Sequence, residues 1–231
     1  MKKLKVISKK LFSFLPSNNR IWQIAKAISL LRQKSFRDLF FAVKKDDICL
    51  DLGANKGYAS LVMWLRGAKK IYALEPNFEA FKVLKRNSLG IKNILIFNVA
   101  ISNKSSKEKL YLHKDIKDNS NYEKILEFSE ASSLCANKKN LGECFYEVTT
   151  LSLDDFIKKI KIPLNIIKCD IEGGEYIIYD QLIEYAKNSK LRKIYVECHA
   201  RKYDTFKIPH TKFMNLIKKY GLEETINTSW H

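Results

Sequence analysis

A short apolar run, Asp47-Ile-Cys-Leu-Asp51, ends in Leu-Gly-Ala-Asn-Lys-Gly57 and passes at once into a helical pattern from about Tyr58 to Leu65. A buried strand that turns through glycines into a helix opens a βαβ unit, which commits a chain to a parallel sheet with crossover helices. The rest of the pattern keeps that commitment. Lys70-Ile-Tyr-Ala-Leu-Glu75 reads as the next strand, stopped by Pro76, and Phe78, Phe81 and Leu84 mark the helix after it. Asn93-Ile-Leu-Ile-Phe-Asn98 is a third strand. Alternation resumes after residue 150: Ser152 and Asp155 resemble a capping box, Leu164 to Asp170 is a strand, Glu175 to Ala186 a helix and Lys193 to His199 a strand. A last helix carries Phe213, Leu216 and Ile217 and ends at Gly221, and residues 222–229 can add one edge strand. The predicted class is α/β: a mostly parallel, doubly wound, Rossmann-like sheet with helices on both faces.

Two regions depart from the alternation. Residues 1–45 read as a helical extension, with apolar stripes at Leu4, Ile7, Leu11 and Phe14, then at Ile21, Ile24, Ile28 and Leu31, then at Phe36, Leu39, Phe40 and Val43. The first of these stripes is expected to pack on the domain. Residues 46–231 form the main domain, and 102–150 is a polar insertion within it, with strands expected at Lys109–His113 and Phe145–Thr149. The insertion is longer than a connector needs, so it is expected to cover a substrate.

The net charge of +17 is unevenly placed, since residues 1–45 hold twelve Lys/Arg and one acid, Asp38. That field attracts phosphate, nucleic acid or anionic lipid, and peripheral contact with an anionic membrane through residues 1–15 stays open. Only seven of the 42 basic residues are Arg, which argues against specific nucleic-acid readout. No apolar run reaches the roughly 20 residues of a spanning helix. Lys9 and Lys10 interrupt the stretch a secretory leader would need. The five cysteines form no CxxC pair and read as reduced, mostly buried thiols, so a cytoplasmic location is expected.

Ligands of open α/β sheets bind beyond the carboxyl ends of the strands. Polar groups cluster there: Asp51, Gly53, Asn55 and Gly57 after the first strand, Glu75 after the second, Asn98 to Ala100 after the third, Asp170 and Glu172 after the fourth, Glu197 and His199 after the fifth. Glu75 lies 22 residues beyond Gly53, where an acid takes the hydroxyls of an adenosine ribose. Gly53 and Gly57 do not have the G-x-G-x-x-G spacing of a dinucleotide site. Asp51, just before the turn, repels a pyrophosphate but suits the ammonium of a methionine moiety, so S-adenosylmethionine is favoured over NAD.

Asp51-Leu-Gly-Ala-Asn-Lys-Gly, Leu74-Glu-Pro-Asn, Ser152-Leu-Asp-Asp, Ile167-Lys-Cys-Asp-Ile-Glu-Gly-Gly-Glu175 and Val196-Glu-Cys-His199 resemble the FkbM-type methyltransferases, from about Asp46 to Gly221. The resemblance implies a class I fold and S-adenosylmethionine-dependent O-methylation of a hydroxyl on a sugar, glycan or small metabolite. By position it places Asp51, Gly53, Asn55 and Gly57 at the methionine end and Glu75 with Pro76 at the ribose. It places Asn98 to Ala100 around the adenine and Asp170 before the methyl group and acceptor. The class I sheet usually closes with a two-stranded hairpin, whereas only ten residues follow Gly221.

Methyl transfer needs alignment of oxygen, carbon and sulfur, and uptake of the hydroxyl proton. Asp170, His199 and Glu172 are the candidate catalytic residues, with Asp170 or His199 as general base. The same cluster could hold a divalent metal, but no metal site is assigned. The readings kept open beside this one are an RNA methyltransferase, a basic membrane-surface or anionic-partner module without activity, and NAD-linked chemistry.

Overall fold

The computed structural model describes residues 19–188, 191–201 and 203–230. The amphipathic stripe expected at residues 3–15 lies outside them. Among the described residues, one six-stranded sheet carries the fold: β1 (Ile48–Leu52), β2 (Lys70–Leu74), β3 (Ile94–Phe97), β7 (Ile166–Cys169), β8 (Lys193–Val196) and β9 (Ile226–Asn227). Their order is β3-β2-β1-β7-β8-β9, and every neighbouring pair is parallel. The order reverses between β1 and β7, which opens a crevice at their carboxyl ends.

Strand alternation divides the core. Leu50, Leu52, Leu74, Ile167 and Val196 face one layer with Phe156, Leu182 and Phe213, which come from α6 (Leu153–Ile160), α7 (Glu175–Asn188) and α8 (Lys207–Lys219). Cys49, Ile71, Ala73 and Ile166 face the other, with residues of α1 (Arg20–Leu30), α2 (Lys34–Ala42), α3 (Tyr58–Arg66) and α4 (Phe78–Asn87). Helices therefore cover both faces, as parallel strands require. The five cysteines are free thiols, and Cys49, Cys169 and Cys198 are buried. No helix among the described residues is long and apolar enough to cross a membrane.

In α1 most of the apolar stripe is turned outward: Ile21 is 65 % and Ile28 54 % exposed, whereas Gln23, Ala27 and Leu30 are buried and Leu31 packs against the core. The side amide of Gln23 explains the rotation, because it donates to the carbonyls of Asn87 and Leu89 at 2.9 and 3.0 Å. Those carbonyls close α4 and gain a buried partner only if Gln23 faces inward. The capping box at α6 is also modified. Ser152 Oγ accepts from the Asp155 amide at 3.0 Å, but the Asp155 carboxylate meets Ser105 Oγ, and Ser105 Oγ accepts the Ser152 amide.

The insertion forms its own sheet. In it β6 (Leu141–Ser152) lies between β4 (Ala100–Ser102), which is parallel to it, and β5 (Ser106–His113), which is antiparallel. Residues 114–140, with the short helix α5 (Tyr122–Glu127), fold back over the crevice. The main sheet closes with the two-residue β9 rather than a hairpin, and Ser229 adds one antiparallel bridge to Glu197. Trp230 then packs edge-on against Tyr195 and Phe36, which ties the C-terminal end to α2.

Candidate active site

A cavity of about 460 Å³ occupies the crevice, and its walls include Gly53, Asn55, Glu75, Pro76, Asp170 and Glu172. That volume lies in the range of roughly 300–1,000 Å³ typical of small-molecule sites. Val99, Ala100, Ile101, Leu110 and Leu134 supply an apolar wall.

The floor is the turn after β1. Gly53 has φ +70°, and a Cβ there would stand 1.8 Å from the Asp170 carbonyl oxygen. Only glycine lets the two strand ends approach so closely. The amides of Gly53 and Ala54 both donate to the Leu74 carbonyl, at 3.1 and 2.9 Å, which holds the turn against the end of β2. Gly57, at φ +83°, starts α3.

Glu75 is buried at the end of β2 and lines the cavity. Its Oε2 accepts the Asn55 amide at 2.8 Å and its Oε1 the Asn77 amide at 2.7 Å. Burial pushes its pKa up to about 7 against the pull of those two bonds and of Lys168. Asn98 does not line the cavity. Its side amide is spent on the carbonyls of Glu75 and Pro76, at 2.8 and 3.1 Å, so it shapes the loop that its neighbours Val99 and Ala100 present to the cavity.

Asp51 lies beneath the floor, not on it. It pairs in register with Ala73 and Lys168 on the flanking strands, and its carboxylate is fully buried. Oδ2 accepts from Ser60 Oγ at 2.6 Å, and Oδ1 faces the Lys168 ammonium at 3.4 Å. Lys168 went unassigned in the sequence, although a lysine inside an apolar strand is a signal, since buried lysines need partners. Its ammonium donates to the Gly53 carbonyl at 2.8 Å and lies 3.5 Å from Asp170 Oδ2. Burial lowers its pKa, but Asp170 and Asp51 more than reverse this, so it stays charged.

At the other end of the cavity Asp170, Glu172 and Glu197 line the wall and His199 is buried behind them, wholly inaccessible. His199 Nδ1 lies 2.8 Å from Glu175 Oε1, and Nε2 lies 3.3 Å from Glu172 Oε2 and 3.7 Å from Glu197 Oε1. Burial lowers the imidazole pKa, but the bonds and charges of Glu172 and Glu175 raise it to about 10. Burial likewise raises that of Glu172, but His199 and Lys138 bring it down to about 2. An imidazole in this setting is held by its neighbours and does not touch the cavity. Of the three candidate catalytic groups, Asp170 and Glu172 are thus the ones with access. One ligand atom each of Asp170, Glu172 and His199 lie within 4.8 Å of one another.

The insertion supplies a strap that no motif in the sequence marked. Ser129 Oγ accepts from the Asn55 side amide at 3.3 Å and Ser132 Oγ from the Asn77 side amide at 3.0 Å. Lys56 meets Glu130 at 3.5 Å, and Lys138, buried, meets Glu172 Oε2 at 2.5 Å. The strap therefore reaches both ends of the cavity.

No curated protein is significantly similar in sequence. Solved structures include a precorrin-6y C5,15-methyltransferase of Geobacter metallireducens at 12 % identity and TM-score 0.45, covering 82 % of this chain and 71 % of that one. Protein arginine methyltransferase 10 of Arabidopsis thaliana matches at 14 % identity and TM-score 0.33, covering 89 % of this chain and 50 % of that one. An arginine methyltransferase enzyme–prozyme complex of Trypanosoma brucei matches at 15 % and TM-score 0.30, covering 70 % and 37 %. The chain thus spans about half or less of the length of these two arginine methyltransferases. The profile of the methyltransferase FkbM domain matches residues 51–223. With that match over most of its length, the chain belongs to the FkbM methyltransferase family.

Proposed function

We propose that the protein is an S-adenosylmethionine-dependent methyltransferase acting on a hydroxyl of a sugar, glycan or small metabolite. The observation that carries this reading is the pairing of Glu75 with the Gly53–Gly57 turn around one cavity that also reaches Asp170. The cavity tests well against the cofactor. Asn55 Oδ1 is buried there without a hydrogen-bond partner and suits an ammonium donor. Glu75 keeps lone pairs for ribose hydroxyls, and Val99, Ala100 and Ile101 offer an apolar slot for a purine. When bound, S-adenosylmethionine supplies an electrophilic methyl group on sulfonium sulfur.

This chain's residues then position the acceptor and take its proton. The Asp170 carboxylate, open to the cavity, accepts the acceptor hydroxyl in a hydrogen bond and receives its proton. Lys168, 3.5 Å away, fixes that carboxylate. Three carboxylates at this end disfavour a phosphodiester and favour a neutral polyol, which weighs against an RNA acceptor.

Isothermal titration with S-adenosylhomocysteine, with NADH in parallel, tests the cofactor. Micromolar binding of the former, lost in Glu75→Ala, supports the reading, and an acceptor screen on glycans follows. No binding by the folded protein overturns it.

A further inference from the structure

We propose that Asp170, Glu172 and His199 bind a divalent metal cation at the acceptor end of the cavity. The argument rests on the imidazole. Glu175 is wholly buried, its Oε2 accepts the Gly173 amide at 2.9 Å, and its Oε1 accepts the His199 amide at 3.3 Å and lies 2.8 Å from Nδ1. A buried carboxylate so placed accepts a hydrogen bond from Nδ1–H, so Nε2 points away from Glu175, and a cation bound there would displace the proton that the surrounding carboxylates hold on the ring. A carboxylate behind a histidine is the usual support of a metal-ligating imidazole, because it sets the tautomer and ring orientation.

Nε2 itself is buried and has no hydrogen-bond partner. It is aimed at carboxylates, with Glu172 Oε2 at 3.3 Å and Glu197 Oε1 at 3.7 Å, and one ligand atom each of Asp170, Glu172 and His199 come within 4.8 Å of one another. Glu172 reaches this position only through a left-handed backbone, φ +55°, which Ser133 Oγ secures by donating to its carbonyl at 2.7 Å. A non-glycine residue held there is a strained feature that the surroundings enforce.

Lysines do not complete the site. Lys138 engages Oε2 of Glu172, the oxygen that also lies 3.3 Å from Nε2, and Lys168 lies 3.5 Å from Oδ2 of Asp170, so a cation would compete with these ammonium groups or use the second oxygen of each carboxylate. Two carboxylates that line the cavity and one imidazole buried behind them suit Mn²⁺, Fe²⁺ or Zn²⁺ better than the all-oxygen preferences of Ca²⁺ or Mg²⁺. In the proposed reaction the cation would bind the acceptor hydroxyl and lower its pKa, and the proton would pass to the Asp170 oxygen that does not hold the cation. That use rests on the methyltransferase reading, while the site itself does not.

The test is Mn²⁺ binding to the chelator-treated full chain, followed by electron paramagnetic resonance of free Mn²⁺ and by water-proton relaxation. One ion per chain is expected. Affinity should fall about 10–100-fold in Glu175→Gln, which touches no metal, and at least as far in the cavity-lining variants Asp170→Asn and Glu172→Gln. The last two keep the test open if Glu175→Gln fails to fold. No Mn²⁺ binding, or binding untouched by Asp170→Asn and Glu172→Gln, overturns the proposal. S-adenosylhomocysteine is titrated on the same samples. Mn²⁺ bound without it upholds the metal site and overturns the function, and the reverse result overturns the metal site alone.

Discussion

Lys168 Nζ stands 3.4 Å from Asp51 Oδ1 beneath the cavity floor, because β1 and β7 place the two residues directly opposite each other in register. Both side chains are almost wholly buried. Removing one partner of such a pair leaves an uncompensated charge. Lys168→Met should cost about 3–5 kcal/mol in urea unfolding. Asp51→Asn with Lys168→Met should cost less than the two single changes added together.

Gly53 and Gly90 both have positive φ, +70° and +78°, but only Gly53 would push a Cβ into backbone. Gly90→Ala should cost about 1–2 kcal/mol, the left-handed penalty alone. Gly53→Ala should cost clearly more and abolish S-adenosylhomocysteine binding. Equal losses in thermal unfolding would show that the contact with Asp170 is unimportant.

Glu75 has a folded pKa of about 7, above the roughly 4.3 of an exposed glutamate. Its protonated form is favoured by the fold, so its contribution to stability is complete below the unfolded value and is lost as pH rises through 7. Ligand binding runs the other way, since ribose hydroxyls donate to the ionised carboxylate. Affinity for S-adenosylhomocysteine should rise about tenfold from pH 6 to pH 8. Glu75→Gln should flatten both profiles, as calorimetry at a series of pH values would check.

Asn77 caps α4 through its side-chain oxygen, which accepts from Glu79 and Ala80 at 3.0 and 3.2 Å, while its amide group holds Ser132. Asn77→Ala should cost about 1–2 kcal/mol. Asn77→Asp keeps the cap acceptor but buries a second carboxylate beside Glu75, so it should lose stability as well and exchange amide hydrogens faster over residues 129–135.

Ile28 is 54 % exposed and Leu30 only 5 %. Ile28→Ser should change stability by less than about 0.5 kcal/mol, and Leu30→Ala should cost about 2–5 kcal/mol. The opposite ranking would restore the helix face that the apolar stripe suggests.

The parallel strands, the glycine turn and Glu75 were legible because they depend on short-range rules. Apolar runs of β length, a glycine where a strand must turn, and an acid at the next strand end all repeat within a few residues. The face of α1 was not legible, because Ile21, Ile24 and Ile28 make the better apolar stripe and the deciding contact is Gln23 on carbonyls more than sixty residues away. The strap was equally hidden, since Ser129 and Ser132 are ordinary loop serines until Asn55 and Asn77 meet them.

The sequence by itself determined the βαβ order, the insertion and the strand ends at which chemistry can occur, since hydrophobic periodicity and turn chemistry are local. The tertiary structure alone decided which of those polar groups face the cavity. It put Asp51 below the floor against Lys168, and His199 behind Glu172 with its free nitrogen among carboxylates. Register between strands and the burial of each charge set those placements. Both are properties of the assembled sheet, because the free energy of a buried ion depends on partners that only folding brings within a few ångströms.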